Sequence, residues 1–331
     1  MKTRAIRPMR TLLISAVLIC AAWPLAQAAD VAVNCGAKKN NSITAALAGL
    51  SKGGPNTVRI AGNCLEAVAI DGYDRLTLIG NPTATINDPT PEQGEEYEDT
   101  TVLSIADSDH VLVQAITVNG GAQGISCSGY SICRLVDVHV HNSLGNGVTY
   151  VRSSGFIADN TIIEDNAGAG LQVMNGSNVS LIPLNTTSVP IIQANGAGAI
   201  VTDDSHLQVS GVIQNNTGAG ITAERGCNVR ILGDPAAGWG FVTGNSGRGL
   251  FLRAATAHIR FATITGNASN GVEIAQLSLV RFTGPNTFTG NDSGSGAAAL
   301  DVECSATTSV AIGGASGVAG GGVTNCVAET P

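Results

Sequence analysis

Aromatic residues make up only 4% of this 331-residue chain and charged residues 13%, with three methionines and two tryptophans. So thin a supply of large side chains argues against an ordinary layered core. The 42 glycines point instead to a narrow tube whose interior holds short aliphatic stacks. Basic residues are scarce too, 17 against 25 acidic ones for a formal charge of -8, which makes a nucleic-acid partner unexpected. After the opening segment no apolar run approaches the roughly 20 residues of a spanning helix, so no transmembrane segment is expected.

That opening segment carries Lys2, Arg4, Arg7 and Arg10, then an apolar run from Leu12 to Ala22, then Pro24 and the small-x-small triplet Ala26-Gln27-Ala28. It reads as a cleaved export signal over residues 1–28, leaving a single domain over 29–331 that is periplasmic or secreted. Cleavage after Ala28 leaves 13 basic against 25 acidic residues, a formal charge of -12. It also removes Cys20 and leaves seven cysteines. An oxidising compartment suits the pairs Cys35 with Cys64, Cys127 with Cys133, and Cys304 with Cys326, with Cys227 left as a buried thiol.

What the chain has in abundance is a repeat. Asn166, Asn195, Asn216, Asn245, Asn267 and Asn291 recur just before a Gly-hydrophobic-x-hydrophobic start. Anchored on Gly124, Gly147, Gly170, Gly198, Gly220, Gly249, Gly271 and Ala299, the unit is 22 or 23 residues long, with insertions of six or so at Pro183 to Pro190, Pro235 to Trp239 and Asn291 to Ala298. Insertions of that kind bulge at a corner without breaking a stack. Within a unit the apolar positions alternate, as in Leu171-Gln172-Val173 and Val272-Glu273-Ile274, the period of a half-buried strand. The expected fold is therefore all-β, a solenoid of coils over 57–312 with a tail at 313–331. Glycine and asparagine are expected to supply the positive backbone angles of the corners, and the asparagines to stack as a ladder. One short helix is expected, from Ser42 to Leu50 and ended by Gly53-Gly54, as a lid within an N-terminal cap over 29–56.

Coils 124–312 resemble the repeats of the right-handed parallel β-helix proteins of the pectin-lyase-like superfamily. The stretch from Val58 to Glu66, followed by Leu76-Thr77-Leu78-Ile79-Gly80, resembles the first coils of exported bacterial members. The resemblance implies the right-handed parallel β-helix and, as ligand, a polysaccharide or other glycan. It does not choose among the lyases, hydrolases, esterases, epimerases, tailspikes and adhesins of that superfamily. Of the polygalacturonase-like set, only Asp203-Asp204 and Arg230-Ile231-Leu232 find an echo; Gly-His-Gly is missing, and the pectate-lyase motifs are missing as well.

Stacking coils places distant residues side by side. Residues His141, Glu164, Gln193, Gln214, Thr243, Thr265 and Thr289 each follow an inward apolar position and so form one outward column. Around it, Val136, Val138 and Val140 alternate with Asp137, His139 and His141, and Glu164 and Asp165 fall on the next coil. The expected cluster is Asp137, His139, His141, Glu164 and Asp165, an acid–base set suited to proton abstraction beside a sugar carboxylate or to glycosidic cleavage. The same pattern is that of an ordinary solvated strand face. Arg152 and Arg225, in a column five residues after the anchors, are candidates to hold uronate carboxylates, or to pair with neighbours such as Asp203. Gln193 and Gln214 are candidates for sugar hydrogen bonds. No cofactor follows from the residues. Calcium is the one ion suggested, by the acidic loop Asn87 to Thr100 or as a bridge to a polyanion. Two readings stand: a glycan-binding or glycan-modifying protein, such as a lyase or epimerase, and a non-catalytic adhesive or structural solenoid.

Overall fold

Alternation makes strands, and the regular corners make each strand land on the one a coil earlier. The computed structural model describes residues 28–36, 42–90, 100–185, 187–292, 300–313 and 322–329; the expected export signal, but for Ala28, and the acidic residues of 91–99 lie outside them. One coil runs through Val148–Val151, Ser154–Ala158 and Ile162–Glu164 to Ala169–Met174, whose Leu171 sits in register with Val148. The first face is a sheet of ten strands, from Val68–Asp71 to Val302–Cys304. A twenty-stranded sheet folds at a corner into the second and third faces, which hold Ser154–Ala158 and Ile162–Glu164 respectively. In the early coils single long strands, such as Leu76–Asn87 and Val111–Asn119, pass through that corner. With strands roughly 4.8 Å apart, ten rungs make a rod on the order of 50 Å long.

The interior is a set of rows, each filled by one residue per coil. Val118, Val140, Ile163, Ile192, Ile213, Val242, Ile264 and Phe288 are paired rung to rung and fully buried. The row expected from the repeat is present, and the choice of aliphatic side chains follows from the narrowness of the tube.

The asparagine ladder is present and has a direction. From Asn166 to Asn291 each amide Nδ2 donates to the Oδ1 of the next asparagine at 2.8–3.1 Å. The same oxygen accepts the backbone N–H of the donor residue. At the far end Asn291 donates both groups to Asp301 Oδ1, at 2.7 and 3.1 Å. A carboxylate suits this place because the last amide needs an acceptor that asks for no donor in return. The positive backbone angle at this corner belongs not to the ladder asparagine but to the residue before it: Asp165, Ala194, Asn215, Gly244, Gly266 and Gly290. The ladder asparagines are thus selected for bonding, while the expected glycine or asparagine supplies the angle at Asn215, Gly244, Gly266 and Gly290, and Asp165 and Ala194 depart from that expectation.

The anchor glycines are selected for space. A Cβ on Gly147 would lie 2.7 Å from both Ile163 Cγ2 and Asn166 Nδ2 and 2.9 Å from the Gly170 carbonyl. In the last coil the anchor shifts. Val302, not Leu300, pairs with Val272, so the residue in line with Gly271 is Asp301 rather than Ala299, and Val302 fills the buried position. The shift brings the Asp301 carboxylate onto the end of the ladder.

The helix is shorter than expected, Ile43–Ala48, and stops at Gly49, whose N–H donates to the Ala46 carbonyl while the Leu50 N–H donates to that of Leu47. Ser42 accepts the Ala45 N–H at 3.0 Å, and Glu66, from the coil below, takes the Ile43 and Thr44 N–H groups. Ile43 and Leu47 join the core. Ahead of the helix, Ala29–Asn34 is already a parallel rung on Asn56–Leu65. The three disulfides, Cys35–Cys64, Cys127–Cys133 and Cys304–Cys326, are those expected, and Cys227 is free and buried. No helix among the described residues is long and apolar enough to cross a membrane.

Candidate functional site

The third face carries a strip of polar side chains, in register rung to rung and bonded to one another over part of its length. Its register is Asn119, His141, Glu164, Gln193, Gln214, Thr243, Thr265 and Thr289. At its centre His139 Nε2 lies 2.8 Å from Glu164 Oε1, and Gln193 Nε2 donates to Glu164 Oε2 at 2.7 Å. Gln214 Nε2 in turn donates to Gln193 Oε1 at 2.8 Å. The His139 and His141 rings stack at 4.5 Å. Toward the N-terminal end, Asn142 Nδ2 bonds His141 Nδ1 at 2.6 Å and Asn119 Oδ1 at 2.9 Å, and Asn119 Nδ2 bonds Asn87 Oδ1 at 3.0 Å. Sequence reasoning missed Asn87, Asn119 and Asn142. Their signal is the alignment of the long early strands with the later coils, which the repeat anchors did not reach.

These bonds fix the electrostatics. Glu164 is held below the usual carboxylate range, first by the Gln193 amide and then by His139, against an opposing cost of burial. With both oxygens accepting, it is an ionised acceptor at neutral pH. Burial and the neighbouring His139 lower the His141 pKa, opposed by Glu164, the Asn142 bond and Asp165. With Nδ1 taken by the Asn142 amide, neutral His141 presents Nε2–H as a donor.

Other expected members stand elsewhere. Asp137 leaves the histidine face because the strand breaks there: its φ is 54° and its Oδ1 accepts the Asn160 N–H and side-chain amide at 3.3 and 2.9 Å. Asp165 occupies the corner after Glu164, on the wall of a shallow cleft of about 490 Å³ shared with Asn142, Leu144, Ala194 and Thr217. Arg152 and Arg225 are corner residues at the start of the second face. Arg225 pairs with Asp203 at 2.6 and 3.2 Å. Arg152 lines a separate cleft of about 360 Å³ with Tyr130, Asn175 and Asn178. The structure therefore brings together His139, His141, Glu164, Gln193 and Gln214, with Asp165 at the rim, and places no arginine clamp among them.

A pH dependence follows. Besides His141, burial lowers the pKa of His206 and His258 from the ordinary 6.5. The unfolded chain then takes up these protons first as pH falls, so stability is full above pH 6.5 and is lost as pH drops through the folded-state values. Glu164 adds a loss of the same sign at lower pH, while Glu303, raised by burial and Glu273, acts the opposite way. Thermal melts are expected to lose on the order of a few degrees between about pH 7.5 and about pH 5.5, and less in His141→Gln. An unchanged or higher melting temperature at the acidic end would contradict these assignments.

Residues 97–235 match the family model described as the right handed beta helix region. A search of curated proteins finds no match to the sequence. Among solved structures, the A-module of the Azotobacter vinelandii mannuronan C-5 epimerase AlgE4 superposes with a TM-score of 0.53 at 13% identity, covering 83% of this chain and 90% of that one. Pectate lyase Pel9A (TM-score 0.46, 11% identity, 92% and 78% covered) and a mutant of the periplasmic alginate epimerase AlgG (0.39, 11%, 86% and 77%) share the coil more loosely. With its parallel rungs, inward aliphatic rows and asparagine ladder, the chain is a right-handed parallel β-helix.

Proposed function

We propose that this is an exported protein that binds a polysaccharide along the strip from Asn119 to Gln214. The observation that carries the reading is the bonded row His139–Glu164–Gln193–Gln214. Donors and acceptors are held at the rung spacing on a half-exposed face, and pre-organised hydrogen-bonding groups of that kind recognise hydroxyl-rich ligands at little ordering cost. Export is supported by the opening segment of the sequence and by the three disulfides. The carbohydrate class is supported by the mannuronan epimerase that shares the coil.

A second reading, lyase or epimerase chemistry, draws on the 2.8 Å contact between His139 and Glu164 beside a neutral His141. In it a histidine is the base, and Glu164, which accepts from His139 and Gln193, is its partner. A panel of neutral and uronate polysaccharides tests both. Retention by the wild type that drops about tenfold or more in Gln193→Ala and Glu164→Ala, without product, supports the binder. Unsaturated or epimerised product that disappears in His139→Ala supports the enzyme. Retention unaffected by these variants would remove the strip from the function.

A further inference from the structure

The second face carries a row the repeat anchors did not reveal. Gln208, Arg230, His258 and Arg281 occupy one outward position on four successive rungs, each directly in register with the next. Their flanking residues, Leu207 and Val209, Val229 and Ile231, Ala257 and Ile259, Val280 and Phe282, all point inward and are buried. Two positions further along the strand Arg260 lies beside Thr283, and at the start of the strand His206 lies beside Asn228. Arg281 and Arg260 are exposed, while Arg230 and both histidines are half-buried.

Among the described residues Arg230, Arg260 and Arg281 enter no ion pair, whereas Arg59, Arg75, Arg225, Arg248 and Arg253 all do. Arg230 and Arg281 stand on the rungs either side of His258, and like charges gathered on one sheet face repel. Their concentration is the more telling in a chain with an excess of acidic residues. The groups acting on His258 are Arg230, Arg281 and Arg260, with Thr283 Oγ1 2.6 Å from its Nε2; those acting on His206 are Asn228 and Arg230. No carboxylate is among them.

We propose that the row from His206 to Arg281 is a docking strip for a linear polyanion, and that its grip tightens as the two histidines take up protons. Guanidinium groups two rungs apart, roughly 10 Å, meet repeated carboxylate or sulfate groups along an extended chain, and Arg suits both by its forked donors. An anion on the row favours the imidazolium form of His258 and His206, and by linkage protonation favours the anion. The row lies on a different face from the His139–Gln214 strip and stands without it.

Binding to dextran sulfate, polygalacturonate and uncharged dextran is measured on the full mature chain at about pH 7.5 and about pH 5.5, in constant salt. Either polyanion is expected to bind and dextran not to bind at this row. Affinity is expected to rise about fivefold at the lower pH, and to fall about tenfold in Arg230→Gln/Arg281→Gln. His206→Gln/His258→Gln keeps the binding and loses the rise. Polyanion binding that is absent, or that is equal in the double arginine variant, overturns the strip. A pH rise that survives in the double histidine variant overturns the proton coupling. A melt of each variant separates lost binding from lost fold.

Discussion

Asn216→Ala is expected to destabilise the protein by about 2–4 kcal/mol, although its side chain faces inward, away from any proposed ligand. Asn216 is fully buried at the middle of the ladder. Its Oδ1 accepts both the backbone N–H and the side-chain amide of Asn195, at 3.0 and 3.1 Å. Its own Nδ2 serves Asn245 Oδ1 and the Gln214 carbonyl. Truncation leaves the Asn195 N–H buried with no acceptor, removes a donor from Asn245 and opens a void, and each orphaned buried group costs roughly 1–3 kcal/mol. Thr217→Ala, one residue on, touches a part-exposed hydroxyl and is expected to change stability by about 0.5 kcal/mol or less. Urea melts of the two variants test this. Equal midpoints would mean that the ladder amides are no better placed in the fold than in water.

Gly220→Ala is expected to be comparably severe, about 2–4 kcal/mol. The added methyl would lie 2.6 Å from Val242 Cγ1, 2.7 Å from the Gly249 carbonyl and 2.8 Å from Asn245 Nδ2. The aliphatic tip can turn aside, but the carbonyl belongs to the next rung and can retreat only by opening the sheet. Gly176→Ala makes the informative comparison. Its φ is +76° with nothing within 4 Å, so it bears only the conformational cost, about 1–2 kcal/mol. If Gly220→Ala proves the milder of the two, the rungs have slack that the packing does not suggest.

Much of this architecture was legible because a strand alternates with period two and a coil with a fixed period. Together these placed Ile163 over Val140 and Glu164 beside His141. Where the reading failed, the two periods came apart. The strand breaks at Asp137, so alternation carried that carboxylate onto the wrong face. The Asn291 to Ala298 insertion moved the last register from Leu300 to Val302. The arginine row stands nine or ten residues after Gly198, Gly220, Gly249 and Gly271, out of line by one at His258, and so does not show as a column of fixed offset. The triplets Val229-Arg230-Ile231, Ala257-His258-Ile259 and Val280-Arg281-Phe282, aligned on their own apolar flanks, would have found it. Hydrogen-bond direction along the strip, which leaves Glu164 an acceptor at both oxygens, depends on side-chain geometry that spacing alone does not carry.

The one-way run of amides bears on how such a chain can change length. An additional coil bearing its own asparagine and glycine could be spliced anywhere between Asn166 and Asn291, since each newcomer accepts two bonds and gives two. Beyond Asp301 the same addition meets a carboxylate with nothing to donate. Duplication within the array is therefore chemically neutral, whereas growth past its end first requires that aspartate to be replaced.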